Sequence, residues 1–322
     1  MNILVIGGAG YIGSHACKAI HAKGLVPIVY DNMSRGNRDA VKWGPLEVGN
    51  IEDRKRLLNV LEKYKPTALM HFAAFTYVGE SVADPLLYYQ NNVVGTAVLL
   101  QAVMSFKPIP IIFSSTAAVY GMPQTTPIPE QHPLQPINPY GFSKVVVERM
   151  LSDLYESQGL PSVALRYFNA AGCDPMGQIG ERHDPETHLI PLALTAARDG
   201  TPIKIFGTDY DTPDGTCIRD YIHVVDIVDA HIRALDYLLA GGKSCVFNLA
   251  NAHGFSVKEV VTTAERVTGR TIRRQFEARR AGDPAVLIGD STSARVKLGW
   301  TPQRSDLSVQ ITDAWNWFQH SR

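Results

Sequence analysis

The chain begins Met1-Asn2-Ile3-Leu4-Val5-Ile6-Gly7-Gly8-Ala9-Gly10-Tyr11-Ile12-Gly13, and this stretch decides the fold. Residues 2–6 form a short apolar run that predicts a buried β-strand, and residues 11–22 predict the helix that follows it. Glycines between such a strand and helix allow a tight turn and a close approach of the backbone to phosphate. The helix N-terminus adds unsatisfied N–H groups that favour an anion. The stretch therefore predicts a dinucleotide-binding unit.

The alternation of strand and helix continues outward from this unit. Further strands are predicted at residues 26–31, 46–48, 68–72, 110–114 and 162–166, and further helices at 53–64, 85–105 and 138–158. Strands that alternate with helices imply parallel strands joined by crossover helices. The near-continuous hydrophobicity of the strands fits a sheet covered on both faces. We therefore expect an α/β fold with a Rossmann-type, doubly wound parallel sheet.

The second half of the chain has a different texture. Residues 173–188 and 208–215 are rich in Gly, Pro and Asp and predict long loops. Residues 223–239 predict a helix and residues 245–250 a strand, whereas the last part of the chain is more basic and irregular. These features predict a smaller, mixed α/β C-terminal domain, with the chain crossing between the two domains more than once.

The composition excludes several classes of protein. The 322 residues are 45% hydrophobic and carry a formal net charge of +0, which excludes a disordered chain and argues against nucleic-acid binding. The four cysteines form no Cys-x-x-Cys pair, and the histidines, His183 among them, show no metal-ligand spacing. No apolar run is long enough to span a bilayer, and the first residues lack the basic region of a signal peptide. We therefore expect a cytoplasmic protein with no metal site and no nucleic-acid or membrane partner.

An acidic residue ends the second predicted strand. Asp31 stands where a carboxylate accepts hydrogen bonds from the adenosine ribose of a dinucleotide. The same charge repels a 2′-phosphate, so NAD is favoured over NADP. Arg35 and Arg38 follow closely, and they could be either phosphate ligands or solvated loop charges.

Three side chains form a candidate catalytic group. Tyr140 and Lys144 lie four residues apart, which puts both on one face of the helix that Asn138 and Pro139 begin. A phenol has a pKa of about 10, so it needs roughly 4 kcal/mol of help to act as a base near neutral pH. A lysine ammonium and an oxidised nicotinamide would supply such help. Thr116, at the end of a predicted strand, would share the proton of the reacting hydroxyl.

Several strings resemble a known family. The glycine loop, Ser114-Ser115-Thr116 and the Tyr140–Lys144 pair resemble the extended short-chain dehydrogenase/reductase superfamily. Further strings are similar to the UDP-glucose 4-epimerase family within it, over essentially the whole chain. These strings are Gly10-Tyr11-Ile12-Gly13-Ser14-His15, Val78-Gly79-Glu80-Ser81, Tyr167-Phe168-Asn169, Gly215-Thr216-Cys217-Ile218-Arg219-Asp220-Tyr221-Ile222-His223-Val224 and Arg279-Arg280-Ala281-Gly282-Asp283.

The resemblance implies a 4-epimerase that interconverts UDP-galactose and UDP-glucose through a 4-keto intermediate, with NAD as cofactor. It also implies an isomerase of galactose and nucleotide-sugar metabolism, a homodimer, an NAD-binding domain at 1–169 to which 223–250 return, and a UDP-sugar-binding domain at 170–322. The implied cofactor ligands are Gly7, Gly10, Tyr11, Ile12, Gly13, Asp31, Asn32, Asn50, Ile51, Phe72, Ala73, Ala74, Thr76, Asn91, Tyr140, Lys144 and Phe168. The implied substrate ligands are Thr116, Tyr140, Asn169, His188, Leu189, Phe206, Arg219, Arg280, Asp283 and Leu287.

Four of these positions depart from the family pattern. Asn50 replaces an expected aspartate near the adenine, and Thr76 and Tyr77 occupy a place where a subgroup has lysine. His188 replaces an asparagine near the phosphates, as either a phosphate donor or a surface histidine. Leu287 replaces a bulky tyrosine that narrows the hexose pocket, so we expect room for a 2-acetamido group and activity on UDP-GlcNAc and UDP-GalNAc.

Three alternatives remain at the level of sequence. One is an epimerase for another UDP sugar, such as UDP-xylose/UDP-arabinose or UDP-glucuronate. A second is a sugar-nucleotide dehydratase, which needs an acid and a base beside Thr116, where Ala117 and Ala118 stand. A third is a nucleotide-sugar-binding regulator, which has no need of the intact catalytic group.

Overall fold

The computed structural model describes residues 1–280 and 282–320. Ala281, Ser321 and Arg322, which belong to the sequence strings and domain range predicted above, lie outside the described residues. The strands are β1 (Asn2–Ile6), β2 (Val26–Asp31), β3 (Leu46–Val48), β4 (Ala68–His71), β5 (Ile111–Thr116), β6 (Ser162–Tyr167), β7 (Asn169–Ala171), β8 (Ile203–Phe206), β9 (Ile218–His223), β10 (Cys245–Leu249), β11 (Gly254–Ser256), β12 (Arg274–Glu277) and β13 (Val286–Leu287).

The helices alternate with these strands. They are α1 (Tyr11–Ala22), α2 (Arg54–Tyr64), α3 (Val78–Ala83), α4 (Pro85–Tyr88), α5 (Gly95–Phe106), α6 (Pro139–Gln158), α7 (Leu189–Asp199), α8 (Val224–Leu239), α9 (Val257–Thr268), α10 (Thr292–Leu298) and α11 (Leu307–His320). Asn138 caps α6 by accepting the Gly141 N–H, and Pro139 occupies its first turn. These two residues fix where the helix that carries Tyr140 and Lys144 begins.

Seven strands form one parallel sheet in the order β10-β6-β5-β4-β1-β2-β3. The predicted doubly wound parallel sheet is confirmed. The order reverses on either side of β1, so a crevice opens at the carboxyl ends of β1 and β4, where ligands of such sheets bind. Strand β10 follows α8 and extends the far edge of this sheet.

Both faces of the sheet are covered by apolar helix faces. On one face, α1 and α8 pack on residues such as Val5, Ile112 and Leu249. On the other face, α2, α5 and α6 pack on residues such as Leu4, Ile111 and Ala164. Strands buried on two sides explain the near-continuous hydrophobic runs of the sequence.

A second group of elements encloses its own core. Helices α7, α9 and α11 bury Leu194, Val261 and Ile311 among other apolar side chains. Strand β9 pairs with β7, β11 and β13, and β8 pairs with β12. These short strands lie beyond the carboxyl edge of the large sheet because β7 follows β6 after a single residue.

One predicted helix is wrong in its detail. The predicted continuous helix at 85–105 is interrupted by a π-helical turn at Tyr89–Val94, between α4 and α5. A π-turn has i→i+5 hydrogen bonds and holds one extra residue. Among the described residues, no helix has the length and apolar character needed to cross a membrane.

Candidate active site

A cavity of about 1710 Å³ lies at the crevice between the large sheet and the second group of elements. Its volume exceeds the roughly 300–1,000 Å³ of an ordinary ligand pocket, so it has room for a dinucleotide and a second nucleotide together. Every site residue predicted from sequence lines this cavity, with the exception of Asn50. The sequence thus identified the wall of one site from both halves of the chain.

The glycine loop forms one end of the cavity. Gly7 has φ +80°, and a Cβ there would lie 2.5 Å from the Ala73 backbone nitrogen. A Cβ on Gly13 would lie 2.1 Å from the Gly7 carbonyl oxygen. Gly10 caps α1 without any side-chain cap, so the first N–H groups of α1 remain available to an anion. The loop therefore fits a pyrophosphate.

Asp31 and Arg35 define the adenosine end. Asp31 accepts the Ala9 N–H at 3.0 Å and the Met33 N–H at 2.8 Å, and burial raises the pKa of its carboxyl. Arg35 donates to both carboxylate oxygens of Glu80, at 2.6 and 2.8 Å. The Glu80 carboxylate neutralises the charge of Arg35, which makes this arginine a weaker partner for a 2′-phosphate and favours NAD.

Thr116, Tyr140 and Lys144 converge on the middle of the cavity. Strand β5 ends at Thr116, whose Oγ1 accepts the Ala118 N–H at 3.1 Å. Lys144 donates to the Ser114 carbonyl at 2.8 Å, and its Nζ lies 5.9 Å from the centre of the Tyr140 ring. The carboxyl end of one strand and the first turns of α6 thus bring the three side chains together.

Burial dominates the electrostatics of this group. Burial raises the pKa of Tyr140, and a hydrogen bond with Thr116 opposes that rise. Burial also lowers the pKa of Lys144 to about 7, against the attraction of Glu148. The predicted lowering of the Tyr140 pKa by Lys144 together with an oxidised nicotinamide stays a prediction.

Asn92 fixes the loop that covers the cavity beside β4. Its side-chain oxygen accepts the Phe75 N–H at 2.9 Å, and its amide donates to the Phe75 carbonyl at 3.0 Å and to Ser143 at 3.1 Å. The neighbouring Asn91, on the same π-turn, lines the cavity. Within this turn, Asn92 therefore binds the loop at Phe75, while the adjacent Asn91 lines the cavity.

The opposite wall carries the predicted substrate ligands. Arg219 donates from Nη1 to the carbonyls of Ile218 and Pro284, both at 2.9 Å, and its Nη2 lies 3.2 Å from Asp283. These bonds hold the guanidinium rigidly with only 11% of its side chain exposed. A fork fixed in this way suits bidentate recognition of a phosphate.

Phe206, Arg280 and Asn169 complete that wall. The Arg280 guanidinium lies 3.9 Å from the centre of the Phe206 ring, so the cation covers one face of the ring. Asn169 donates to the Asp220 carbonyl at 3.0 Å. Leu287 pairs in register with Arg219 across β13 and β9, which brings the hexose-pocket position beside the predicted phosphate ligand.

The positions that depart from the family pattern have different environments. Asn50 does not line the cavity, and its side-chain oxygen accepts the Glu52 N–H at 3.1 Å, so its predicted adenine contact stays a prediction. Thr76 lines the cavity. His188 also lines it, and although burial opposes the change, Glu181 raises the pKa of His188 to about 8.

Sequence reasoning missed several residues in the cavity wall. Tyr77 packs its ring 4.7 Å from the Arg35 guanidinium, and Glu80 anchors that arginine. Glu181, His183 and Glu186 meet His188 at the rim. The sequence signal for this second group was five residues with ligand side chains within eight positions, Asp184 being the fifth, in a segment predicted as a loop.

Comparisons with known proteins support one family. The family model described as GDP-mannose 4,6 dehydratase matches residues 4–308. A UDP-glucose 4-epimerase of Rhizobium meliloti (strain 1021) is 53% identical over 324 residues, which cover 100% of this chain and 97% of the relative.

Solved structures agree. The crystal structure of UDP-glucose 4-epimerase from Brucella ovis in complex with NAD matches with a TM-score of 0.96 and 49% identity over 98% of each chain. The structure of UDP-glucose 4-epimerase from Bifidobacterium longum in complex with NAD+ and UDP matches with a TM-score of 0.94 and 34% identity, over 99% of this chain and 98% of that one.

The doubly wound sheet, the glycine loop and the Thr–Tyr–Lys group define an extended short-chain dehydrogenase/reductase. The second wall, with Arg219 and Asp283, adds a site for a second ligand to that class. Within it, the chain belongs to the UDP-glucose 4-epimerase family, which confirms the resemblance found in the sequence.

Proposed function

We propose that the protein is an NAD-dependent 4-epimerase that interconverts UDP-galactose and UDP-glucose through a 4-keto sugar. The observation that carries this proposal is that Thr116, Tyr140 and Lys144 line the same cavity as the glycine loop and Arg219. An oxidoreductase group thus faces both a dinucleotide site and a second anion site. Relatives with the same fold were crystallised with NAD and with UDP.

The residues at the glycine loop fit NAD. The uncapped N-terminus of α1 would bind the pyrophosphate, and Asp31 would accept from the adenosine ribose. Lys144 would hold the nicotinamide ribose. Bound there, NAD would supply a reversible hydride acceptor for the hydrogen at C4 of the sugar, so the reaction would involve no net oxidation.

The chain's own residues move the proton. Tyr140 takes the proton of the sugar 4-hydroxyl on its phenol oxygen and returns it after the 4-keto sugar has turned over. Thr116, which hydrogen-bonds Tyr140, shares that proton. Because burial raises the pKa of Tyr140 in the chain alone, the positive charge of the bound cofactor is needed to make the phenol a base near neutral pH.

Tight binding of UDP allows the hexose to turn without leaving. Arg219 and Arg280 would bind the diphosphate oxygens, and Asp283 would accept from the uridine ribose. Phe206 would pack against the uracil, with Asn169, His188 and Leu189 beside the diphosphate. Because two backbone carbonyls already hold the Arg219 guanidinium, its side chain would lose little conformational entropy on binding phosphate.

Leu287 lies in the wall of the hexose pocket. It packs beside Ala117, Val119 and Phe168, which are apolar and offer no partner to a charged group. An apolar wall of this kind favours a neutral substituent such as a 2-acetamido group over a uronate carboxylate. We therefore include UDP-GlcNAc and UDP-GalNAc among the substrates.

A dehydratase of the same superfamily is the main alternative, since the matching family model is described by that activity. Elimination of water at C5 and C6 needs an acid and a base next to Thr116. Ala117 and Ala118 line the cavity there, and neither transfers a proton. The residues therefore favour epimerisation.

Purified protein incubated with UDP-galactose, and no added NAD, tests the proposal. We expect UDP-glucose to accumulate, as measured by ion-exchange chromatography. In Tyr140→Phe, we expect kcat to fall by about 10²–10⁴-fold, the usual contribution of general acid–base catalysis. Tyr155→Phe, on α6 but outside the cavity lining, is the matched control and should leave kcat unchanged. Undiminished turnover in Tyr140→Phe would refute the mechanism, and no product even with NAD would refute the substrate.

We also propose that the protein is a homodimer. Val82, Leu86, Leu87, Val94 and Phe142 expose 37–75% of their surface on α3, α4, the π-turn and α6. Contiguous apolar side chains of this kind are unusual on a monomer. A second copy of the same helices would bury them as a helix bundle.

We propose two further assignments on independent grounds. All four cysteines are free and most are buried, which suits a reducing compartment such as the cytoplasm. The two separate cores support a division into an NAD-binding domain at 1–169, joined by 223–250, and a UDP-sugar-binding domain at 170–322, except that Ala294, Leu298 and Trp300 pack into the first core.

A further inference from the structure

Four side chains with metal-ligand chemistry meet in the segment before α7. Glu181, His183, Glu186 and His188 each offer one nitrogen or oxygen atom, and these atoms all lie within 4.8 Å of one another. All four residues line the rim of the cavity. The proposed reaction uses only one of them, His188, so the cluster as a whole has no assigned role.

The distances match those of a tetrahedral site. Nδ1 of His183 lies 3.5 Å from Glu181 Oε1 and 3.4 Å from Glu186 Oε2. Nδ1 of His188 lies 3.6 Å from Glu186 Oε1 and 2.6 Å from Glu181 Oε1. Four ligands about 2.1 Å from Zn²⁺ at tetrahedral angles are about 3.4 Å apart. Three of these four histidine–glutamate distances are close to this length, and the His188–Glu181 hydrogen bond is shorter.

The charges of the cluster favour a divalent cation. The side chains of Glu181 and Glu186 are only 5% and 18% exposed. Among the described residues, their ion-pair partners within 4.0 Å are the two histidines alone, with no lysine or arginine. With both imidazoles unprotonated, as metal ligands are, the two carboxylates give the cluster a charge of −2, which a divalent ion would balance. Buried carboxylates without such balance are costly.

His183 supplies a second and independent observation. Its Nδ1 atom is buried and has no hydrogen-bond partner among the described residues, although it faces two carboxylate oxygens. A buried imidazole nitrogen in this position lacks a partner unless a proton or a metal ion joins it to the oxygens. The edges of the Tyr77 and Tyr11 rings pack against His183, with ring centres 5.9 and 6.3 Å away, and exclude water from that side.

We propose that Glu181, His183, Glu186 and His188 bind one Zn²⁺ ion. Two imidazole ligands favour Zn²⁺ over Mg²⁺ or Ca²⁺, which prefer oxygen alone. Four protein ligands close the coordination sphere, as in structural rather than catalytic sites. The ion fastens the loop between β7 and α7 at the rim of the cavity, without taking part in proton or hydride transfer. The proposal does not depend on the identity of the sugar.

Metal binding by the intact protein tests the site. Protein treated with EDTA and dialysed is titrated with ZnSO₄, and the bound metal is measured by plasma mass spectrometry. We expect one Zn²⁺ per chain and a rise in Tm of about 5 °C at about 100-fold excess over Kd. MgSO₄ should produce neither effect. Co²⁺ in place of Zn²⁺ should give the intense visible absorption of a tetrahedral centre.

Matched variants separate this site from surface binding. His183→Gln and Glu186→Gln each remove one ligand, and we expect at least tenfold weaker Zn²⁺ binding in both. His253→Gln, at an exposed histidine whose ring packs on Phe255, should bind Zn²⁺ as the unaltered protein does. The proposal is overturned by less than about 0.1 Zn²⁺ per chain without a Tm shift, or by equal loss in His253→Gln. Metal content is measured without substrate, so a failure of the epimerase assay leaves this result independent.

Discussion

Lys144 is buried and donates a hydrogen bond to the backbone carbonyl of Ser114 at 2.8 Å. The four-residue spacing predicted that Lys144 lies beside Tyr140. It could not predict the bond to Ser114 or the burial of the lysine, because both depend on how α6 packs against β5. Burial lowers the pKa of Lys144 to about 7 and raises that of Tyr140. At the scale of single residues, burial therefore favours the neutral form of both groups, and under the proposed mechanism the cofactor's charge would lower the pKa of the phenol.

The stability of the nucleotide-free protein should report this desolvation. The pKa of Lys144 in the folded state, about 7, lies below its unfolded value of about 10.4, so the unfolded chain binds more protons between these values. The contribution of Lys144 to the free energy of unfolding therefore rises by about 3 kcal/mol between pH 7 and 9.5. In Lys144→Met we expect that part of the slope to disappear in urea unfolding at the two pH values. Lys107→Met, exposed at the end of α5, is the control, and equal slopes in both variants would contradict the prediction.

The rigidity of Arg219 predicts a specific loss. Lysine cannot reproduce the fork that donates to Ile218 and Pro284 while leaving N–H groups for phosphate. In Arg219→Lys we expect KM for UDP-galactose to rise about tenfold, roughly 1.4 kcal/mol, with kcat changed far less. Arg279→Lys is the control because Arg279 is exposed and pairs with Asp209. A fall in kcat with unchanged KM would count against a binding role.

At the scale of elements, most strands and helices of the parallel sheet were predictable to within a residue or two, the π-turn apart. Apolar runs alternate regularly with amphipathic stretches there, and Asn138 and Pro139 mark the start of α6. The strands β7, β8 and β9 were not predicted, because they lie outside that alternation and their pairing is decided by distant segments. The site followed the same division. The glycine loop and the Tyr140–Lys144 pair are local patterns, whereas the cluster of Glu181, His183, Glu186 and His188 depends on how a loop folds back.

Asp220 joins three of these elements. On β9, its carboxylate accepts N–H groups of Asn251, after β10, and of Gly289, after β13, while its own carbonyl accepts from Asn169. Burial raises the pKa of Asp220 to about 7, and these backbone N–H groups only partly oppose the rise. A buried carboxylate thus connects the strand of Arg219 with the returning segment of the chain.

This carboxylate should make stability depend on pH with a defined sign. Its folded pKa of about 7 exceeds an unfolded value of about 3.9, so the folded chain binds more protons between them. The contribution of Asp220 to the free energy of unfolding is therefore fully present below pH 4. It falls by roughly 3 kcal/mol as the pH rises to 7. In Asp220→Asn we expect this component of the slope to vanish in urea unfolding between pH 5 and 7, whatever the loss in absolute stability. Asp153→Asn, at an exposed i,i+4 pair on α6, should keep the wild-type slope, and an unchanged slope in Asp220→Asn would refute the account.

At the scale of the whole molecule, one sheet and one smaller set of elements enclose a cavity large enough for two nucleotides. The apolar face on α3, α4 and α6 lies away from the core clusters. The sequence alone does not distinguish exposed Leu86 from buried Leu99. Only packing separates them, since both sit in apolar runs.

A charge in that apolar face should separate the proposed dimer. Leu86 is 75% exposed on α4, so Leu86→Glu removes little from the monomer's own core. We expect sedimentation velocity to give a dimer for the unaltered protein and a monomer for the variant at micromolar concentration. Val296→Glu is the matched control, since Val296 is 77% exposed on α10 and outside this face. A monomer in all three samples, or a dimer in all three, would contradict the proposed interface.

The π-turn at Tyr89–Val94 constrains which insertions and deletions this segment can accept during evolution. The turn contains one residue more than an α-helical path, and this residue sets the directions of Asn91 and Asn92. A residue in an α-helix turns the chain by about 100°, so deleting one codon here would rotate everything before it by about that angle relative to α5. Asn91 would leave the cavity, and Asn92 would lose its hydrogen bonds with the Phe75 backbone, in a single step. Substitutions in this segment can be accepted one at a time, whereas a change of its length alters the cofactor wall and the covering loop together.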